Sequence, residues 1–189
     1  DLGGVCVFSE SSMGAVRICE MLFSSSLLVV VGTGDTQHTS PRRLRVFNTT
    51  TRQVIADLFF ADTIVGVRLD KHTLVVVEPR RALVHDLSTL HVQRIIPTAL
   101  NENGVVAMTA DETNQPVCLL ALPSGQSKGS GKCGKNAVLQ KKECEKNNHK
   151  QLGVVAVHDC LNHVLVCEIS AHATPIAALA LSPNGRMLA

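Results

Sequence analysis

The chain has 189 residues, of which 45% are hydrophobic and 3% aromatic, with a formal net charge of +2. That apolar content supports a buried core and excludes a disordered chain. The Leu/Val run at residues 27–31, like every apolar run in the chain, is far short of the roughly 20 residues a membrane-spanning helix needs.

No basic segment followed by an apolar one opens the chain, so no signal peptide is expected. Residues 5–8 read as a short strand closed by Ser9-Glu10-Ser11-Ser12. From Val16 the apolar residues nearly alternate, and residues 27–31 form a Leu/Val run bounded by Gly32-Thr33-Gly34-Asp35. Branched side chains and a glycine stop favour strand over helix. Ser40-Pro41-Arg42-Arg43 opens a strand over 44–47, a turn follows at 48–51, and another strand runs over 53–58.

The same pattern then recurs. Strands are expected over 64–69, 74–77, 82–85 and 91–96, four in about 33 residues, with turns at Asp70, Glu78-Pro79 and Asp86. A third copy starts at 105–109, continues at 117–121, and resumes at 154–158 and 164–169. Aligning the hairpins on their polar turn residue puts Asn48, Asp86 and Asp159 in register, at spacings of 38 and 73 residues. The second spacing falls to about 45 once the low-complexity segment 124–151 is set aside. A period near 40 with four short strands per unit predicts an all-β fold, a β-propeller of four-stranded antiparallel blades.

Segment 124–151 holds seven of the 18 basic residues and two of the 16 acidic ones, leaving 11 and 14 elsewhere, a net charge of −3. It reads as a lysine-rich insertion expected to be disordered. The folded part is therefore net acidic and poor in aromatic residues, which argues against nucleic-acid binding. Near a membrane, the lysines would add attraction without head-group selectivity.

Seven cysteines without a secretory signal suit a reducing compartment, and Cys6, Cys19, Cys118 and Cys167 lie in apolar strand-like segments. Buried free thiols rather than disulfides are expected. Without secretion, Asn48-Thr49-Thr50 is a turn and not a glycosylation site. Cys133, Cys144 and His149 lack the paired Cys-x-x-Cys spacing of structural zinc sites, so no metal is expected. Gly32-Thr33-Gly34-Asp35 lacks a third glycine and a following helix, and reads as a hairpin rather than a dinucleotide loop. Gly125-Gln126-Ser127-Lys128-Gly129 spells Gly-x-Ser-x-Gly but lies in the low-complexity segment rather than between a strand and a helix, so it is no nucleophile elbow, and no His-Glu-x-x-His motif occurs. No enzyme and no cofactor are expected.

The last segment, 169–185, ends one strand, turns through His172 and Pro175, starts another from Ile176, and turns again at Pro183-Asn184-Gly185. This joins the outer strand of one blade to the inner strand of the next. The chain has no initiator Met and stops as a strand begins, so an incomplete propeller is expected, with 1–21 ending a first blade, 22–60 a second, 61–100 a third, 101–171 a fourth carrying the insertion, and 172–189 starting a fifth.

Four stretches together resemble the PROPPIN family of seven-bladed, polyphosphoinositide-binding WD-repeat-like propellers that includes the autophagy WIPI proteins. They are Cys19-Glu20-Met21-Leu22-Phe23-Ser24-Ser25-Ser26-Leu27, Ser40-Pro41-Arg42-Arg43-Leu44-Arg45-Val46, Leu74-Val75-Val76-Val77, and Ala171-His172 followed by Pro175-Ile176-Ala177-Ala178-Leu179-Ala180. The resemblance implies a non-enzymatic scaffold in autophagy that recognises phosphatidylinositol 3-phosphate and the 3,5-bisphosphate. Its location would be cytoplasmic, peripheral on preautophagosomal, endosomal or vacuolar membranes. His172 matches the family's site histidine, and Thr174 stands where a neighbouring polar contact is expected. The family's Phe-Arg-Arg-Gly strand would lie beyond Ala189. Pro41, Arg42 and Arg43 match the family's contact with an autophagy lipid-transfer partner. A phosphate monoester takes several donors, which a histidine, a threonine hydroxyl and turn amides supply. The alternative is a WD-repeat scaffold that binds other scaffold proteins and no lipid. On that reading His172 is a structural hydrogen-bonding residue and the arginines are solvated.

Overall fold

A computed structural model of the chain describes residue 9 and residues 13–23, 25–35, 39–109, 118–124 and 153–189. Among them run β1 (Val16–Met21), β2 (Leu27–Gly32), β3 (Arg43–Asn48), β4 (Gln53–Phe59), β5 (Gly66–Leu69), β6 (Thr73–Glu78), β7 (Arg81–Asp86), β8 (Val92–Pro97), β9 (Ala107–Met108), β10 (Leu119–Pro123), β11 (Val154–Asp159) and β12 (Val164–Ser170). They form three four-stranded antiparallel sheets, each in plain sequence order: β1 to β4, β5 to β8, and β9 to β12. The leading strands lie side by side, β1 next to β5 and β5 next to β9. Arg68 of β5 pairs with Glu20 of β1 across the first seam.

The third strand of each sheet repeats one design, RLRVFN, RALVHD and VVAVHD. Its last residue caps the next turn. Asn48 Oδ1 accepts the amides of Thr50 and Thr51 at 2.9 and 3.0 Å, Asp86 Oδ1 those of Ser88 and Thr89 at 2.8 and 2.9 Å, and Asp159 Oδ1 those of Leu161 and Asn162 at 2.9 and 3.0 Å. A short polar side chain that satisfies turn amides is why Asn and Asp hold these positions. Four residues later the backbone turns left-handed, at Arg52, Leu90 and His163, with φ of 54, 61 and 55°. The bulge before each turn also repeats, at Val46/Phe47, Val84/His85 and Val157/His158.

Alternation along each strand sends side chains into two different seams. In β6, Leu74 and Val76 join Val29, Val31, Leu44 and Val46 of the first sheet, while Val75 and Val77 join Val106, Met108, Leu120 and Leu122. Ala107, Ala121, Val155 and Val157 of the third sheet meet Ile176, Leu179, Leu181 and Leu188.

Three expectations are corrected. The boundary between first and second blades does not fall at 21/22, because Val16–Met21 pairs with Leu27–Gly32 in one sheet, through a tight turn with Phe23 at φ 47°. Cys19 and Cys167 are exposed, since β1 and β12 are the end strands of their sheets and are largely exposed; Cys118 and Cys160 are buried, and all four are free thiols. A strand from Ile176 is not continuous. Only the end of that segment pairs, Ala180 with Ala189 and Ser182 with Met187, around the turn at Gly185. The expected strand at 5–8, residue 117 and the insertion from 125 to 151 lie outside the described residues.

The position before each turn residue carries Phe47, His85 and His158, all buried. Burial pushes both imidazoles below the ordinary histidine range, with the charge of Arg94 adding to the effect at His158. The unfolded chain therefore binds protons that the folded chain refuses, and stability falls as pH drops through about 6.5, the unperturbed histidine value. Denaturant titrations should give a less stable protein at pH 5.5 than at pH 7.5, and His85→Phe, the residue the first sheet carries, should flatten that slope. An unchanged slope would remove His85 as a cause.

Candidate functional site

Two separate places carry the sequence-predicted residues. His172 and Thr174 follow β12 and leave the third sheet, whereas Pro41 to Arg43 lead into β3 of the first sheet, with the second sheet between them.

The His172 turn is built on the backbone of Gly153, the residue before β11. Its carbonyl oxygen accepts the amides of Ala171 and His172 at 2.9 and 3.1 Å. Gly153 has φ of 89°, and a Cβ there would stand 2.3 Å from the His172 carbonyl oxygen and 2.5 Å from that of Thr174. Only glycine fits so close an approach in that conformation. The side chains of His172 and Thr174 are both exposed. The turn is thus shaped by main-chain contacts, which leaves the imidazole and hydroxyl available to a ligand. The sequence reading missed Gly153; its only signal was a glycine just ahead of an apolar strand.

At the second place, the backbone is again fixed from behind. The carbonyl oxygens of Pro41 and Arg42 accept the amides of Ile64 and Phe60, both at 2.9 Å. Ser40 Oγ accepts the Arg42 amide at 3.3 Å. Arg42 is exposed. Arg43 turns onto the sheet, its side chain 15% exposed and its Nη1 3.9 Å from Asp57 Oδ2. Asp57 is held mainly by a two-pronged contact from Arg45 at 2.8 and 2.9 Å, and that hydrogen bonding keeps its carboxyl below the usual carboxylate range. The two neighbouring arginines therefore differ: Arg42 projects outward, and Arg43 belongs to a cluster on the sheet. The loop at Gly32 to Asp35 closes a hairpin, with the Gly34 amide donating to the Thr39 carbonyl at 2.6 Å.

Neither place groups residues for bond-making chemistry, and among the described residues no cluster of three or more metal-ligating side chains occurs.

The sequence profile of PROPPIN matches residues 5–132. This chain belongs to the PROPPIN family. Autophagy-related protein 18b of Arabidopsis thaliana is 38% identical over 180 residues, covering 95% of this chain and 42% of the relative. Autophagy-related protein 18 of Yarrowia lipolytica is 34% identical over 189 residues, covering 98% and 44%. Among solved structures, the complex of KlAtg21 with the coiled coil of AgAtg16 superposes with a TM-score of 0.72 at 24% identity, over 92% of this chain and 47% of that one. Kluyveromyces lactis Hsv2 superposes with a TM-score of 0.60 at 14% identity, over 92% and 43%. The chain thus spans less than half the length of the relatives it matches, and its three sheets correspond to part of a PROPPIN propeller. The Arabidopsis and Yarrowia relatives are autophagy-related proteins.

Replacing Gly153 by Ala should destabilise the protein by about 2 kcal/mol, because a left-handed backbone and two carbonyl clashes must be relieved together. Amide resonances of Ala171 and His172 should move in the variant. Unchanged stability and unmoved resonances would show that the turn does not depend on Gly153.

Proposed function

We propose that the chain is the part of a phosphoinositide-binding propeller scaffold that supplies the leading edge of a lipid site, and that the complete protein is recruited to membranes during autophagy. The observation that carries this reading is the exposed pair His172 and Thr174 on a turn held by Gly153 from behind. On this reading the 3-phosphate of phosphatidylinositol 3-phosphate or the 3,5-bisphosphate accepts hydrogen bonds from the His172 imidazole and the Thr174 hydroxyl. Continuation of the propeller supplies the remaining donors. A single such site binds weakly, and a second on the same rigid rim would raise avidity by making the second contact intramolecular. The scaffold holds head groups and partners; no bond is made or broken. Its location is cytoplasmic and peripheral on preautophagosomal, endosomal or vacuolar membranes.

In the complete protein, His172→Ala should weaken binding to liposomes containing phosphatidylinositol 3-phosphate by about fivefold, the loss of roughly 1 kcal/mol from one solvent-facing hydrogen bond. Control liposomes without the 3-phosphate should bind equally poorly in both proteins. Equal lipid binding by the variant would take His172 out of the site.

The second reading, a protein-interaction scaffold without lipid recognition, draws on the exposed Arg42 beside Pro41 and on KlAtg21, which was solved with a coiled coil. Partner contact at Pro41 and Arg42 is compatible with lipid binding elsewhere, while Arg43 would support the surface through the Asp57 cluster. Arg42→Glu should lower capture of an autophagy lipid-transfer or coiled-coil scaffold partner by about tenfold through charge reversal at an interface rim. Liposome binding should stay unchanged. A variant that loses both functions would point to misfolding or a shared surface, and one that loses neither removes Arg42 from the partner site.

A further inference from the structure

The seam between the second and third sheets encloses polar atoms that the fold leaves unused. A cavity of about 40 Å³ lies there, lined on its polar side by Arg94 of β8, Ser124, His158 of β11 and Glu168 of β12, and on its apolar side by Ile96 and Leu165. Arg94 Nη1 and His158 Nδ1 are both buried without a hydrogen-bond partner among the described residues, and His158 is only 5% exposed. Thr98 Oγ1, beside the cavity through the bridge of Thr98 to Ser124, is a third such atom. Each buried polar atom left unmatched costs about 1–3 kcal/mol, more for a charged group. A guanidinium cannot escape the cost by giving up its proton.

We propose that this seam holds a small oxyanion of the size and chemistry of inorganic phosphate, bound between Arg94 and His158. An oxyanion accepts from the Arg94 N–H and from an imidazole N–H at once, which water does less strongly. The volume admits an ion of a few atoms; an inositol ring would not fit.

Charge decides how binding responds to pH. Arg94 faces His158 from β8 and Glu168 faces it from β12, while β10 presents the apolar Leu120 as the cross-strand partner. Asp159, next in β11, is turned into its own turn. Glu168 is engaged by the hydroxyl of Ser124 at 2.9 Å. At His158 the charges of Arg94 and Glu168 act in opposite directions, and burial together with the Arg94 charge opposes a proton. An anion beside the ring reverses that preference, so binding takes up a proton and is tighter at lower pH.

The test is a titration of the protein with inorganic phosphate at constant ionic strength, matched with chloride, following the histidine imidazole resonances. His158 should move saturably, and with sulfate, whose charge does not change between pH 6 and pH 8, affinity should be several-fold higher at pH 6. Arg94→Gln should weaken the effect by at least about tenfold, as loss of a charge-assisted bond implies, and Arg94→Lys should keep part of it. Inositol 1,3-bisphosphate should leave His158 unmoved, which separates this seam from the lipid site at His172. The proposal is overturned if His158 does not respond in the unsubstituted protein at tens of millimolar phosphate. It is also overturned if chloride moves it equally, if Arg94→Gln responds unchanged, or if only the inositol phosphate acts.

Discussion

The structure depends on the sharing of each sheet between two seams. β6 is buried along its whole length because Leu74 and Val76 face the first sheet while Val75 and Val77 face the third. A fully buried valine or leucine contributes about 2 kcal/mol relative to exposure, and neither seam exists without both neighbours. No sheet here is an independent unit. The last strand of each sheet shows the converse: β4 leaves Val54, Ile55 and Phe59 exposed, β8 Val92 and Ile95, and β12 Val164, Val166 and Ile169.

This sharing explains what could be read from the sequence. Repetition was visible because every third strand solves the same packing problem, so Leu44, Ala82 and Val155 are buried at one position and Val46, Val84 and Val157 at another. The turn residues were legible for a local reason, since Asn48, Asp86 and Asp159 cap amides within three residues. The left-handed residues were not legible, as Arg52, Leu90 and His163 are not glycines and the surrounding bulge imposes their conformation. The first sheet's boundary was misplaced because the β1 to β2 turn uses Phe23, an apolar residue that carries no turn signal. Exposure of Cys19 and Cys167 depends on their strands lying at the ends of their sheets, which an apolar neighbourhood in sequence does not report.

The candidate site divides in the same way. His172 was found through a family pattern, whereas Gly153, which shapes the turn, sits 19 residues earlier and is brought there by the β11 to β12 hairpin. The bland reading of His172 was a structural hydrogen-bonding residue. The fold has histidines of that kind elsewhere: His85 is buried, with Nδ1 3.0 Å from the Leu90 carbonyl and its ring edge-on to Phe60. His172 differs on each count, being exposed and contributing its main chain rather than its imidazole to the turn.

Comparison of Phe47, His85 and His158 takes the argument one step further. The fold fixes their place, buried one residue before the cap, and tolerates an apolar ring there in the first sheet. In the second sheet the imidazole Nδ1 is matched by a carbonyl that the left-handed turn presents, while its Nε2 is buried without a partner among the described residues. In the third sheet the equivalent nitrogen has no partner among the described residues, and the charge that acts on the ring, Arg94, comes from the neighbouring sheet. A position that accepts phenylalanine does not require histidine for packing. A histidine held there against its desolvation cost, beside an arginine whose Nη1 has no partner among the described residues, is where a repeat takes on binding without altering its architecture.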